Sequence, residues 1–456
     1  MSEPAALSSL LACPRCDRAP LEASDSGYRC PGCKTEFPGV GDVPWLFAEP
    51  NARRDEWQGR WQLTLRSLER NYERLERALG RPGLLESTRQ RLERLRNAQL
   101  HHAEQLKALL QPLELASLTG EYATYLALRT RMPTDQGLMT YYTNVHRDWG
   151  WGDEENEATL DIVCARLGDR SPGRAVVLGS GAGRLAYDFH QQTSAETTVG
   201  LDFNPLYSIL ARRIADGERI ELYDFPIAPR SIPDHAVLRT LAAPERARKG
   251  LRFVLGDVHR PPFAAGAFET VLTPWLIDIV PEDFATFCAR VNALLAPDGQ
   301  WINLGSLSFH DADPALCYSR VECEEIVSNS GFEMIEVDET EIPYMCSPSS
   351  RHGRREDVLS WSAIKHTRTK RPERYEALPD WLVRGQEPIP ISESFKVQAA
   401  STRIHAFIMS LIDGRRTLKD VAREIVAQGV MSPAEAESAI RTFLIRMYDE
   451  GRKIGD

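Results

Sequence analysis

The sequence predicts an α/β protein: a Rossmann-like core with a mostly parallel sheet, placed between a small cysteine-rich module and a small helix-rich C-terminal module. Three observations predict it. Ala175 to Asp202, AVVLGSGAGRLAYDFHQQTSAETTVGLD, passes from an apolar run through Gly179, Gly181 and Gly183 into a helical pattern, then into a second apolar run ending in an acid. Later segments keep the alternation, with strand-like runs at Leu251 to Asp257, Phe268 to Thr273 and Trp301 to Gly305, and an amphipathic helix at Pro281 to Leu295. Two CxxC pairs, Cys13-Pro-Arg-Cys16 and Cys30-Pro-Gly-Cys33, come before all of this.

The 456 residues allow two or three domains, each large enough for its own core. Hydrophobic residues make up 42% and charged residues 26%, as in soluble globular proteins, and no apolar run has the length of a membrane span. The start, MSEPAALSSLLACPRC, lacks the basic region of a secretory signal, so a cytoplasmic location and no membrane partner are expected. The formal charge of −10 argues against a general nucleic-acid-binding surface. Four of the nine cysteines are patterned and suggest a metal ion; the other five are scattered and suggest buried thiols.

In the first module, residues 1–50, each CxxC forms a knuckle that aims two thiolates at one point. Cys13, Cys16, Cys30 and Cys33 then close a tetrahedral Zn²⁺ site with no position left for water, so the expected ion is structural. A redox reading of one pair remains the alternative. Residues 51–120 follow as a helical pair: Trp57, Trp61, Leu65, Leu68, Tyr72, Leu75 and Leu79 share one face, and Gly80-Arg81-Pro82-Gly83 breaks the helix before a second one marked by Leu85, Leu92, Leu95, Leu106 and Leu109. Basic residues here alternate with acids, as on a solvated face.

Tyr141 to Trp151, YYTNVHRDWGW, is too polar for a buried strand and too aromatic for a linker. It reads either as a segment folded over a ligand or as a structural aromatic clasp. If helical, it sets Asn144 and Arg147 one turn apart, and Arg147 can clamp a carboxylate with two hydrogen bonds.

The glycines suit a ligand lying over the turn, where backbone N–H groups converge and a Cβ would collide. An acid at the tip of the next strand, Asp202, can take both hydroxyls of a ribose. A dinucleotide site wants GxGxxG; Gly179, Gly181 and Gly183 instead give GxGxG followed by Arg184, which looks like the first motif of class I S-adenosylmethionine (SAM) methyltransferases. Asp257 ends a further strand, where an adenine amine finds an acceptor. Ligands bind beyond the carboxyl ends of such strands, so Asp202, Asp257, Asp278 and His310 are expected to face one crevice.

Four stretches, HRDWGW, GSGAGRLAYDF, TPWLIDIV and DGQWINLGSLSFH, together resemble the carnosine N-methyltransferases over roughly residues 140 to 365. The resemblance implies a methyltransferase domain over residues 121–370 that moves a methyl group from SAM to an imidazole nitrogen of a histidine-containing dipeptide or peptide. It assigns cofactor contacts to Asn144, Arg147, Gly179, Asp202 and Asp257, and imidazole contacts to the catalytic pair Asp278 and His310; Gly181, Gly183, Val258 and Thr273 are the further cofactor-binding candidates. Asp278 would accept the ring N–H and aim the other nitrogen at the methyl group. The alternative is that Asp278 caps the helix that follows. Where the family carries substrate-holding tyrosines, Ser349 to Lys365 has none and the nearby Tyr344 does not fall in register, which points Arg351, Arg354 and Arg355 at an acidic group on a different substrate.

Prolines cluster around an expected linker at residues 371–384. Beyond it, in residues 385–456, PIPISESFKVQ suggests short strands and three amphipathic stretches follow, which predicts a winged-helix shape. HAFIMSLIDGRRTLKDVAREIV resembles PqqD-like domains, which implies a recognition element for the leader peptide of a ribosomally made precursor. Oligomerisation or DNA binding are the other uses of such modules. The substrate is then a histidine in a peptide guided by this module, or a small free histidine-derived metabolite. A non-catalytic peptide-binding scaffold is the third reading.

Overall fold

A computed structural model describes residues 7–113, 137–310, 313–372 and 388–454. The chain divides into two units, residues 1–376 and 377–456.

The first unit begins with a four-stranded antiparallel ribbon in sequential order: β1 (Glu22–Ser24), β2 (Gly27–Arg29), β3 (Glu36–Val40) and β4 (Val43–Pro44). The helical pair follows as α1 (Pro50–Leu79) and α2 (Glu86–Leu109), broken at Gly80 to Gly83 as its composition predicts. Trp57 and Trp61 are buried and Leu65 and Leu68 pack against the core, so the apolar stripe of α1 is the face it docks. Residues 114–120 of the expected pair lie outside the described residues. The aromatic segment is helical: α3 (Tyr142–His146) runs into a wide π-type turn, Arg147–Trp151, and then into α4 (Asp153–Leu167).

The core elements follow in chain order: β5 (Arg174–Leu178), α5 (Arg184–Gln192), β6 (Thr197–Asp202), α6 (Pro205–Ala215), and a hairpin of β7 (Ile220–Asp224) and β8 (Val237–Leu241). After these come β9 (Leu251–Leu255), β10 (Phe268–Pro274), α7 (Phe284–Leu294), β11 (Leu295–Gly305), α8 (Arg320–Asn329), β12 (Phe332–Tyr344) and β13 (Arg354–Lys365). The large sheet has the order β12-β13-β11-β10-β5-β6-β9. Neighbours from β11 to β9 pair in parallel, and β13 alone runs against the rest. Pro297 to Gly299 form a bulge inside β11: Phe268 pairs with Leu295, but Thr270 pairs with Gln300.

Alternation along the strands sorts the core into two layers. Ala175 and Val177 of β5 point toward α4, α5 and α6, with Val163, Phe189 and Leu210. Val176 and Leu178 point the other way, toward α7, α8 and the ribbon, with Phe287, Val327, Leu11 and Phe37. The ribbon thus feeds both layers: Leu21, Tyr28 and Phe37 join the second, while Val40 and Val43 join the first.

The second unit contains α9 (Glu393–Ser410), α10 (Leu418–Ala427) and α11 (Pro433–Ile454) around a small core of Ile408, Leu411, Val421, Ile425 and Ile440. This corrects the expected strands at PIPISESFKVQ. Ser392 caps a helix there, its hydroxyl accepting from the Phe395 N–H at 3.2 Å, and the described residues 388–454 contain no strand and no wing. Residues 373–384 of the expected linker lie outside the described residues. Among the described residues, no helix is long and apolar enough to cross a membrane.

Candidate functional site

The chain leaves β5 through the glycine turn at the point where strand order reverses, between β5 and β10. Crevices in open α/β sheets form there. All three glycines have positive φ, but they do different work. A Cβ on Gly183 would lie 2.6 Å from Ala211 Cβ and 2.7 Å from Phe253, so this glycine lets α5 approach α6 and β9. A Cβ on Gly179 would meet Leu276. Only Gly181, at φ +54°, faces open space. Space for a ligand is thus left at Gly181, while protein packing explains Gly179 and Gly183.

Asp202, at the tip of β6, is buried and bridges this turn. One carboxylate oxygen accepts from the Gly181 N–H at 2.8 Å and the other from the Asn204 N–H at 2.8 Å. Burial pushes its carboxyl up to about 6, against the lowering effect of those two donors. Gly256 N–H donates to the Asp202 carbonyl at 3.0 Å, which ties the tip of β6 to the loop carrying Asp257. Asp257 accepts from the His259 backbone at 2.9 Å and from His259 Nδ1 at 2.7 Å, and its second oxygen lies 3.6 Å from Arg53 Nη2. Burial raises its carboxyl, but His259 and Arg53 outweigh that and hold it below the usual range. Val258 is half-buried against the second layer.

The aromatic segment is locked onto the glycine turn. Trp149 Nε1 donates to the Ala182 carbonyl at 2.8 Å, and Arg184 Nη1 donates to the Asp148 carbonyl at 2.8 Å. Asn144 and Arg147 do share a helical face; the Arg147 N–H donates to the Asn144 carbonyl. Arg147 is already paired. Its guanidinium donates to Asp148 at 2.8 Å and to Glu155 at 3.0 Å, and these carboxylates outweigh burial and raise its pKa further. Thr273 is fully buried: its hydroxyl accepts from Trp301 Nε1 at 2.8 Å and lies 2.7 Å from the Asn303 amide.

Asp278 is half-buried in the turn after β10. Its Oδ2 accepts from Ser306 Oγ at 2.6 Å and from the Ser308 N–H at 2.9 Å, and Oδ1 has no partner among the described residues. Asp278 is not the helix cap; Asp283 caps α7, accepting from the Thr286 N–H at 2.9 Å. The same serines carry the loop on which His310 sits, exposed and without a hydrogen-bond partner among the described residues.

Sequence reasoning missed Trp275 and Glu155 here and set Tyr344 aside as out of register. Trp275, in the left-handed region at φ +50°, leads from β10 toward Asp278, and its ring centroid lies 4.9 Å from that of Tyr344. Tyr344 packs in turn under Arg354, 4.6 Å from the ring centroid. Glu155 joins this aromatic pair to Arg147, since its Oε2 accepts from the Met345 N–H at 2.7 Å. The arginines expected to meet a substrate acid are all paired within the chain: Arg351 with the Pro229 and Arg230 carbonyls, Arg354 with Glu356, and Arg355 with Glu341 at 3.3 Å.

The patterned cysteines converge within the ribbon. Their four Sγ atoms lie within 4.8 Å of one another, with Cys13–Cys33 at 3.6 Å and Cys16–Cys30 at 3.4 Å. A tetrahedral site with Zn–S bonds of about 2.3 Å has S–S edges of about 3.8 Å, so the cluster is compatible with Zn²⁺.

A seven-stranded sheet of this order with β13 reversed is the class I methyltransferase arrangement, and the acid-tipped β6 beside an open glycine is where that fold receives the adenosine of SAM. Sequence comparison agrees: residues 135–367, just over half of the chain, match the family described as carnosine N-methyltransferase. The chain belongs to that family and is a SAM-dependent methyltransferase. A comparison with curated proteins finds no match. Among solved structures it is similar to a candidate methyltransferase from Bacillus halodurans, with 13% identity over 46% of this chain and 98% of that one and a TM-score of 0.32. It is also similar to a TehB-like SAM-dependent methyltransferase from Corynebacterium glutamicum, at 14% over 47% and 89% with a TM-score of 0.28. A third is phosphoethanolamine N-methyltransferase 2 from Haemonchus contortus, at 11% over 46% and 53% with a TM-score of 0.30. The residues present fit the cofactor, because Gly181 leaves space where a ligand would lie and Asp202 offers a carboxylate beside it.

Proposed function

We propose that the enzyme methylates a ring nitrogen of an imidazole, with Asn144, Arg147, Gly181, Asp202 and Asp257 on the cofactor side and Asp278 and His310 on the substrate side. The observation that carries this reading is the asymmetry of Asp278: one oxygen is anchored by Ser306 and Ser308, and the other is unpartnered among the described residues. When bound, SAM supplies a methyl group on a sulfonium sulfur. Asp278 Oδ1 accepts the N–H of the imidazole, which fixes the tautomer and leaves the other nitrogen's lone pair for the methyl carbon. As that N–C bond forms, the methyl's bond to sulfur would break with its electron pair left on a neutral thioether; the ring becomes cationic, the carboxylate stabilises it, and the N–H proton then leaves through Asp278 to water. Trp275 and Tyr344 supply the flat apolar wall that such a ring packs against. His310 is the second hydrogen-bond partner.

The test is methyl transfer from labelled SAM to histidine-containing dipeptides and peptides, with the product nitrogen assigned by NMR. Asp278→Asn, whose amide donates as well as accepts, is expected to lower kcat by about 10²-fold or more while leaving SAM affinity within about twofold. Transfer to carbon, oxygen or sulfur, or full activity in the variant, would refute the reading.

The substrate is either a histidine in a precursor peptide, with the C-terminal unit as leader-binding module, or a free histidine-derived metabolite. The exposed Phe395, Val397 and Ile404 of α9 support the first. The lack of a strand among residues 388–454, and hence of an edge for an extended peptide to join, favours the second. Removing residues 377–456 separates them, because activity on a free metabolite survives the deletion. We also propose that Cys13, Cys16, Cys30 and Cys33 bind Zn²⁺; metal analysis of the purified protein, expected to give one zinc per chain, tests this.

A further inference from the structure

We infer that the cysteine ribbon and the start of α1 form the outer wall of the cofactor's adenine end, and that Arg53 is a positioning residue which holds Asp257 there. This rests on the reading that Asp257 meets the adenine and that the four cysteines bind zinc.

The loop of residues 256–264 carries Asp257 and Val258, and the ribbon grips it from both ends. On one side Leu46 N–H donates to the Leu255 carbonyl at 2.7 Å and Trp45 bridges Leu255 in parallel, so the chain leaving β4 extends the large sheet beyond β9. On the other side the arm ahead of Cys13 pairs with the loop's far end: Ala12 N–H donates to the Pro262 carbonyl at 3.0 Å, and Ala264 N–H to the Leu10 carbonyl at 2.8 Å. Gly256 lies so close to this grip that a Cβ there would be 3.3 Å from the Leu46 carbonyl.

A metal ion on the four thiolates ties the two arms into one body, because Cys13 directly follows Ala12 while Cys30 and Cys33 lead into β3 and β4. The first turns of α1 complete the wall. Trp57 is buried with its ring 5.9 Å from Phe203, the residue after Asp202. Arg53, packed 5.3 Å from the Phe47 ring centroid and bonded to Glu56 at 2.7 Å, places its free edge 3.6 Å from Asp257. His259 saturates one side of the Asp257 carboxylate. Arg53 therefore keeps the other oxygen ionised and aimed, and an adenine amine needs that acceptor.

The experiment compares calorimetric binding of S-adenosylhomocysteine and of S-inosylhomocysteine, in which a carbonyl replaces the adenine amine. The full chain is tested as purified, after zinc removal by a chelator, and as Arg53→Ala, Arg53→Lys and Asp257→Asn. The purified protein is expected to prefer the adenosine ligand by about tenfold or more, as one charge-assisted hydrogen bond would give. Arg53→Ala and the metal-free chain are expected to lose most of that preference, and Arg53→Lys to keep part of it. If both ligands weaken equally in Arg53→Ala, the residue acts on the fold alone and the inference is overturned. If Asp257→Asn loses the preference while Arg53→Ala and the metal-free chain keep it, the adenine reading stands and the inference alone falls. If the purified protein shows no preference, or Asp257→Asn retains it, the reading of Asp257 fails and takes the inference with it. Should the metal-free chain unfold, the Arg53 variants carry the test.

Discussion

Glu155 takes the Arg147 guanidinium on one carboxylate oxygen at 3.0 Å and offers the other to the Met345 N–H at 2.7 Å. One buried acid thus joins the helical segment over the glycine turn to the strand end bearing Tyr344. Burial raises its carboxyl despite Arg147 and Met345. Glu155→Gln keeps the shape and removes the charge, leaving Arg147 with Asp148 as its acid. We expect a loss of about 1–3 kcal/mol of stability, with weaker SAM binding and a higher KM for the methyl acceptor together. Thermal unfolding and steady-state kinetics check this; a change in KM without a change in SAM affinity would separate the two sides.

The glycine turn gives a paired prediction. Gly181→Ala adds a Cβ that meets nothing but must hold φ near +54°, so it costs about 1 kcal/mol of folding stability and acts mainly on SAM affinity. Gly183→Ala drives a Cβ to 2.6 Å from Ala211 and is expected to cost about 1–3 kcal/mol or more in overpacking. Urea unfolding and SAM titration, run on both variants, should rank them in opposite orders.

Asp202 sets a pH dependence with two signs. Its carboxyl sits at about 6 in the folded chain, against about 3.9 when unfolded. The folded state therefore holds the proton more tightly, and this group's contribution to stability falls as pH rises from about 4 to about 6, then levels. Cofactor affinity runs the other way if ribose hydroxyls donate to the carboxylate, dropping about tenfold per unit as pH falls below about 6. Asp202→Asn is expected to bind SAM weakly with a flat profile across that range.

Two buried histidines make the first unit acid-sensitive. His102 packs edge-on against Tyr142 and Phe225, and His146 against Tyr142. Burial pushes them down to about 4 and about 3. Both must stay neutral to remain folded, so the stability present above about pH 6.5 is lost as pH falls, by about 2 kcal/mol each at pH 5. His102→Phe is expected to recover about half of that difference between pH 7 and pH 5 in denaturant unfolding. An unchanged difference would show that the ring is solvated.

What the sequence revealed tracks how local each signal is. The β5 to β6 crossover and the cysteine knuckles were legible because each is written within a few dozen residues. So was the break between α1 and α2 at Gly80 to Gly83. Arg53 and Glu155 were not, since each works on a residue far along the chain and no local pattern marks it. Arg351 and Arg355 looked available because their partners come from a loop and from another strand, whereas Arg354 pairs with Glu356 on its own strand. The C-terminal error was a contest of signals: Pro and Ile in PIPIS imitate a strand, but the Ser392 hydroxyl that ends this stretch caps a helix starting at the next residue.

The seating of Trp45 and Leu46 alongside Leu255 also bears on how copies of this molecule avoid one another. An open sheet has two rims, and an unguarded rim is a template for stray pairing. The β12 rim carries its own deterrent in the exposed carboxylates of Glu333, Glu336, Asp338, Glu339 and Glu341. The β9 rim has no such row of acids and relies on the ribbon as a cover. Chains that lose the ribbon should therefore clump through that rim, even while the rest of the sheet stays folded.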